Sequence, residues 1–453
     1  IMEKVSRLIK GSAVVRWSML VIVGFILAGN YYFYDAISPL KKVLTDEFGF
    51  TSTDFGLFVS VYSIPNVFLL MAVLGGIILD KLGIRKTGTL FISLMSGGAL
   101  LTAYGASDIY RSGGIGYELM NSIFPGYSPE LKMMLLGRFF FGLGAETSIV
   151  VISKIIVKWF KGKELALAFG IKLGFARIGS VLAFWLSPIL IGAESNISIA
   201  MWFAAILVTT GLLAFMIYIM FDAKLDKQIN NIKLIDKSEQ FTISDIGNLF
   251  KNTSFIYITL LCVTFYSAVF PFLSYSSDFF LNKFGFSLER SGQISSLLPL
   301  GTVLFTPLFG LFVDKKGKSA SLMIYGSIIL IIVHLLFAFT MLTPYIPMVM
   351  LGIAFSLVPA AMWPSVARIV DENKLGTAYG LMFSIQNLGL WALPLLAGIV
   401  LDATNPVGTE SLNYFWTMII FAGLGVIGLI FAILLKREDT ISGYNLEAPA
   451  KKD

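Results

Sequence analysis

The sequence predicts an all-α membrane protein in which twelve transmembrane helices form two six-helix pseudo-symmetric halves. Three observations carry that reading. Of 453 residues, 56% are hydrophobic and only 14% are charged, whereas a soluble domain carries about a quarter charged residues. The apolar residues gather into twelve runs, each near or above the ~20 residues that a helix needs to cross hydrocarbon. Short motifs recur at equivalent runs of the first six and the last six.

The runs are 15–38, 53–79, 87–106, 131–157, 164–190 and 198–221, then 254–280, 289–313, 318–341, 345–369, 376–401 and 412–435. They divide the chain into a first half over 1–221, a polar linker over 222–253, a second half over 254–436 and a tail over 437–453. The first run is longer than a signal-peptide core and has no clear small-residue cleavage site. The single cysteine, Cys262, has no internal partner for a disulfide. The net charge is +6. Most of the 34 Lys and Arg fall in loops on the side of the two chain ends, the asymmetry that places those loops in the cytoplasm. The basic residues therefore read as topology signals and lipid-headgroup contacts, and no nucleic-acid partner is expected.

The runs hold no nucleophile beside a base, no metal-ligand cluster and no nucleotide signature. "GLGAE" lies inside a run, so it reads as close helix packing and not as a phosphate loop. His334, the one histidine, sits in the apolar "IIVHLLF" and reads as packed. An enzyme is therefore not expected, and neither is a cofactor or a metal.

Repetition is local and specific. "GIILDKLGIRK" follows run 2 and "GLFVDKKGK" follows run 8; "AFGIKLGFARIG" in run 5 recurs as "AYGLMFSIQNLG" in run 11. In the first loop Gly76, Asp80, Lys81, Gly83, Arg85 and Lys86 set the pattern, with Ile84 added; Asp314 is the counterpart in the second. Glycine lets two helices approach closely. Asp80, at a helix end, is expected to meet a cation from the opposing half.

Charges within the runs pose the functional question. Glu146 lies ~16 Å and Arg177 ~20 Å from the cytoplasmic ends of runs 4 and 5, at 1.5 Å per residue, close to the middle of a hydrocarbon core ~30 Å thick. Lys154 is near enough to that end to snorkel, Lys172 is intermediate, and Arg138 is nearer the outer face. A midplane charge pairs or faces water, so Glu146 and Arg177 either neutralise each other or line a cavity and wait for a ligand. A carboxylate suits an ammonium, and a guanidinium grips a carboxylate through two parallel hydrogen bonds. The ligand so described is a zwitterion, and a dipeptide spans about 7 Å between its ends. The second half is different: Asn387 stands where Arg177 would repeat, and no acid lies near Ala361. It offers instead Tyr266, Tyr275, Trp363, Gln386 and Asn387, which hydrogen-bond or pack without adding charge. Tyr31, Tyr34 and Asp35, in "GNYYFYD", form a polar patch on run 1 suited to orienting Arg138 or Arg177 or to lining the pathway.

The duplicated loop motif and the two-fold organisation resemble the major facilitator superfamily. In that family the loop latches the cytoplasmic side and releases as the halves rock. "GNYYFYD", "YSIPNV", "GRFFFGLGAE", "WFKGKEL", "ARIGS", "AVFPF" and "LGTAYGLMFSIQNLGL" are similar to the branch that holds the lysosomal dipeptide transporter and its microbial relatives. The chain departs from that branch at Ile64, where tryptophan is expected. The resemblance implies a uniporter of dipeptides working by alternating access, with Glu146 at the peptide's amino end and Arg177 at its carboxylate. It implies a multi-pass protein of a bacterial inner membrane, or of the lysosomal membrane in an animal. The sequence does not itself imply an accessory subunit, and a monomer is expected. Alternatives are an organic-anion carrier that uses Arg138 and Arg177, a proton-coupled peptide symporter, and a non-transporting receptor.

Overall fold

A computed structural model describes residues 12–160, 162–192, 196–230, 247, 249–371, 374–406, 408–409 and 411–449. The described residues form helices and connecting turns, without a strand. Helix is what lipid demands, because it satisfies every backbone donor and acceptor within its own segment.

Among the described residues twelve spans follow one another: span 1 (Ala13–Asp35), span 2 (Ser52–Val61, Ile64–Phe68 and the start of Met71–Gly105), span 3 (the rest of Met71–Gly105), span 4 (Pro129–Phe160), span 5 (Leu165–Leu190), span 6 (Ile197–Asn230), span 7 (Thr253–Phe284), span 8 (Leu288–Ser295 and Leu297–Lys316), span 9 (Ser319–Phe339), span 10 (Tyr345–Ile369), span 11 (Leu375–Thr404) and span 12 (Phe415–Ser442). Spans 2 and 3 join at Gly83, whose φ of 78° and ψ of 169° turn the chain, a conformation open to glycine. Span 2 is broken where Pro65 enters at a helix start and Leu70 takes φ 50°. Its beginning is secured by a capping box: the Thr51 side chain accepts from Asp54 N and the Asp54 carboxylate from Thr51 N, which satisfies two otherwise orphaned donors.

Two boundaries differ from expectation. Span 6 continues as helix to Asn230, beyond 221, and span 12 to Ser442, beyond 436. The rest of the expected linker over 231–246 and the end of the tail over 450–453 lie outside the described residues.

Spans 1, 5 and 6 pack together, as do spans 3 and 4; in the second half span 12 packs on spans 7 and 9, and span 8 on span 10. The halves meet along span 2 against span 11 and span 5 against span 8. Residues 12 and 449 share one side, here the terminal side; the 107–130 connection marks the far side. The hydrogen bonds and ion pairs that join the halves among the described residues lie toward the far side: Lys41 to Asp278, Ser52 and Thr53 to Asp402, Tyr275 to Ser52, and Trp185 to Ser296.

Candidate functional site

Span 4 carries the acid. It lies against span 2 at Gly142, where a Cβ would stand 2.3 Å from the Tyr62 carbonyl oxygen. One turn on, Glu146 is on the same face, and the Tyr62 hydroxyl is turned to its carboxylate. Gly144, on another face, presses span 4 onto span 3, with the Met95 nitrogen 2.3 Å from where its Cβ would be. The glycines of "GLGAE" are thus packing devices that set the angle of Glu146.

Span 5 carries the guanidinium. The Arg177 carbon Cζ stands 5.8 Å from the Tyr31 ring centroid, 5.9 Å from Phe270 and 5.4 Å from Phe355. Two of those rings belong to the second half. Such faces attract a cation without consuming its N–H donors. Glu146 and Arg177 are both half-buried, and neither makes an ion pair within 4.0 Å among the described residues. They do not neutralise each other by contact.

Tyr31 lies within the fields of both Arg177 and Glu146. Asp35, buried, has the Ser180 hydroxyl turned to it and sits within the fields of Arg177 and Arg138. Arg138 is only 1% exposed. Its Nη2 donates to the Tyr34 carbonyl at 3.0 Å and Nη1 to the Phe33 carbonyl at 3.4 Å. The rings of Tyr34, Phe58, Tyr62 and Phe141 enclose its Cζ at 4.9 to 5.7 Å. A cation on the last carbonyls of a helix complements its dipole, so Arg138 anchors the end of span 1. The Tyr34 ring meets the Tyr62 ring at 4.6 Å, which links that anchor to the neighbour of Glu146.

In the second half Trp363 Nε1 donates to the Tyr266 hydroxyl at 3.1 Å. Tyr266 also packs on Phe270 and Phe355, so these residues continue the wall around Arg177. Gln386 accepts from the Cys262 thiol at 3.5 Å. Asn387 Nδ2 returns to the Phe383 carbonyl at 2.9 Å, and its buried Oδ1 has no protein partner among the described residues. Tyr275 is fully buried at the far side, where its hydroxyl donates to the Pro394 carbonyl at 2.9 Å and the Ser52 carbonyl at 3.2 Å, away from the Arg177 wall. Lys172 is buried against Ser153, at 2.6 Å, and His334 is packed with Nδ1 on the Leu330 carbonyl. Sequence reasoning did not single out Tyr62, Phe270 or Phe355; only their segments, "YSIPNV" and "AVFPF" for the first two, carried a signal.

The loop motif departs from expectation in its partners. Asp80 pairs with Lys154 of span 4, in its own half, and not with a cation across the interface. Arg85 reaches Asp222 at 3.5 Å and Asp226 at 3.0 Å on span 6, where Lys158 meets the same two acids at 2.7 and 2.6 Å. A Cβ on Gly76 would meet nothing within 4 Å, so no second helix uses it for close approach here. Lys81 and Asp314 are exposed, and neither is in an ion pair among the described residues. With the halves fastened on the far side, the ion pairs of Asp80 and Arg85 stay within the first half.

A multi-pass helical chain whose two halves meet around half-buried charges has the architecture of a secondary transporter. The family model described as Major Facilitator Superfamily matches residues 20–394, and the chain belongs to that family. The chain is similar to "Lysosomal dipeptide transporter MFSD1" of Mus musculus, 32% identical over 445 residues that cover 96% of this chain and 88% of the relative. The Homo sapiens protein of that name is 32% identical over 447 residues, 96% of this chain and 89% of the relative. The "Hexuronate transporter" of Bacillus subtilis is 23% identical over 93% and 96% of the two chains. Among solved structures, the nucleoside transporter NupG aligns with a TM-score of 0.68 at 17% identity, over 92% of this chain and 99% of its own. A bacterial homologue of the human lysosomal transporter Spinster, inward-facing and occupied, aligns with a TM-score of 0.67 at 15% identity, over 94% and 98%. These likenesses at low identity show the fold.

Proposed function

We propose that this protein moves dipeptides by alternating access as a uniporter, with Glu146 receiving the peptide's amino end and Arg177 its carboxylate. The observation that carries the reading is the state of these two charges: opposite in sign, half-buried, on neighbouring spans and without an ion pair among the described residues. A charge within a membrane protein demands a partner, and a zwitterion supplies both at once. Tyr62 orients the acid; the rings of Tyr31, Phe270 and Phe355 hold the guanidinium flat. Tyr266 and Trp363 then face the peptide's body, and Gln386 and Asn387 lie behind them with an amide oxygen free to bind. Clamping the ends leaves the side chains largely unread, so the substrate range is broad. The family resemblance and the name of the relatives at 32% identity support the same substrate class.

The terminal side is the cytoplasmic side, on the distribution of Lys and Arg. This conformation is then closed outward, and the loop motif around Gly76, Asp80, Lys81, Gly83 and Arg85 engages the second half, near Asp314, only when the cytoplasmic side shuts. The membrane is a bacterial inner membrane, or the lysosomal membrane in an animal, and the protein works as a monomer among lipids.

The deciding experiment is thermal stabilisation of purified protein by amino acids, dipeptides and tripeptides, followed by uptake into liposomes. Dipeptides stabilise selectively, the effect is lost in Arg177→Ala and Glu146→Gln, and uptake of neutral dipeptides ignores an imposed pH gradient. Acceleration by that gradient would replace uniport with proton symport. The hexuronate transporter's similarity favours a second reading, an organic-anion carrier; it requires stabilisation by carboxylates that survives Glu146→Gln.

A further inference from the structure

Lys41 and Asp278 belong to opposite halves, yet Nζ stands 2.9 Å from Oδ2 and both side chains are 2% exposed. The Tyr414 hydroxyl donates to the same Oδ2, and Nζ of Lys41 lies 6.0 Å from the Tyr275 ring centroid. Around this buried pair runs a second set of cross-half bonds. Asp402, at the far end of span 11, accepts from Ser52 N at 3.0 Å, Thr53 N at 2.7 Å and Thr53 Oγ1 at 2.6 Å. A carboxylate of one half thus caps the first turn of a helix in the other.

A buried ion pair is a poor way to hold a protein together. The loss of hydration of both ions offsets most of their attraction, and an apolar pair of equal size is often as stable or more so. The same balance makes it a good contact to break. When the two surfaces part into water, each ion regains its hydration shell, whereas parted apolar surfaces regain nothing. Removing one partner alone is different, because it strands a charge in the closed state only.

Lys41 is joined to the candidate site through span 1. It directly follows the Ser38–Leu40 turn that continues span 1, and Arg138 grips the last carbonyls of that span.

We propose that Lys41 and Asp278, with Tyr414 bracing the acid from its own half, form the far-side gate of this transporter: Lys41 and Asp278 close that side here and separate into water when it opens. The inference rests on the alternating-access part of the reading above and is independent of which substrate is carried.

The test uses spin labels on the full chain in liposomes. Cys262→Ser removes the native thiol, and Tyr127→Cys with Thr404→Cys places labels on exposed far-side positions of the two halves. Dipolar distances are measured without substrate. The parent shows a short distribution. Lys41→Met raises the ratio of long to short distances by at least about tenfold, Tyr414→Phe moves it the same way by less, and the swap Lys41→Asp with Asp278→Lys returns the short distribution. Unchanged distances in Lys41→Met and Tyr414→Phe overturn the proposal. Where Lys41→Met does not fold, Tyr414→Phe and the swap decide: the first must lengthen and the second must stay short. A protein that passes this test and binds no dipeptide keeps the gate and loses the substrate assignment.

Discussion

Arg177 belongs to the first half, and the ring it approaches most closely, Phe355 at 5.4 Å, belongs to the second. The cation therefore stands on the interface between the halves, held by ring faces and by no anion among the described residues. Its planar fork stays available for a carboxylate. Arg177→Lys retains the charge and loses the two-pronged geometry, so we expect dipeptide affinity to fall at least ~10-fold. Phe355→Leu removes one attractive face, worth about 0.5–1 kcal/mol, and lowers affinity by a few fold. Calorimetric titration of both variants checks the order.

Glu146 is expected to recognise a peptide's free amine. An N-acetylated dipeptide then binds the parent protein at least ~10-fold more weakly than the free one, since a charge-assisted bond is lost. In Glu146→Gln the two peptides bind alike. A persistent preference for the free amine in that variant would move the amine site elsewhere.

Arg138 is expected to act on stability more than on affinity. Arg138→Met leaves two backbone carbonyls without their donor and Asp35 with Arg177 as its one remaining neighbouring cation of the two. A loss of roughly 2–4 kcal/mol is expected for such a buried site, read as a lower unfolding temperature in detergent. An unchanged temperature with lost anion binding would instead make Arg138 a ligand, as the carrier reading requires.

The two ionic contacts of the terminal side should differ sharply. Asp80 and Lys154 are 49% and 40% exposed, so Lys154→Ala costs under about 1 kcal/mol. Asp222 is 1% exposed and accepts from Lys158 and Tyr218, both at 2.7 Å. Asp222→Asn leaves those donors poorly paired and costs about 3 kcal/mol. Thermal unfolding of both variants measures the contrast.

Two glycines separate packing from gating. Gly142→Ala drives a methyl into the Tyr62 carbonyl and lowers both stability and dipeptide binding. Gly76→Ala meets open space here and leaves stability unchanged. If the loop motif closes the terminal side in the other conformation, Gly76→Ala slows uptake by at least about tenfold. Normal uptake would show that the motif does not use that close approach.

Parts of this fold were legible because lipid judges each segment alone. The run lengths follow from local apolarity, and the turn between spans 2 and 3 from a glycine at position 83. The break in span 2 was harder to see: Pro65 hints at it, but φ 50° at Leu70 is set by its surroundings. Phe355 carries no local mark among 39 phenylalanines, and Phe270 is marked only by its segment "AVFPF". Tyr62 lies just before Pro65, and nothing in its spacing tells that Gly142 will bring Glu146 to it.

The amino-acid sequence by itself determined that this chain crosses a membrane many times, that its loop motif is duplicated and that opposite charges lie within its apolar runs. Those properties depend on the transfer free energy of one segment at a time. Only the tertiary structure decided that Asp80 meets Lys154, that Lys41 meets Asp278 and that Arg177 meets rings in place of Glu146. Those choices depend on how helices rotate and tilt against each other, and there the small terms of packing and partner geometry outweigh any preference written along a single span.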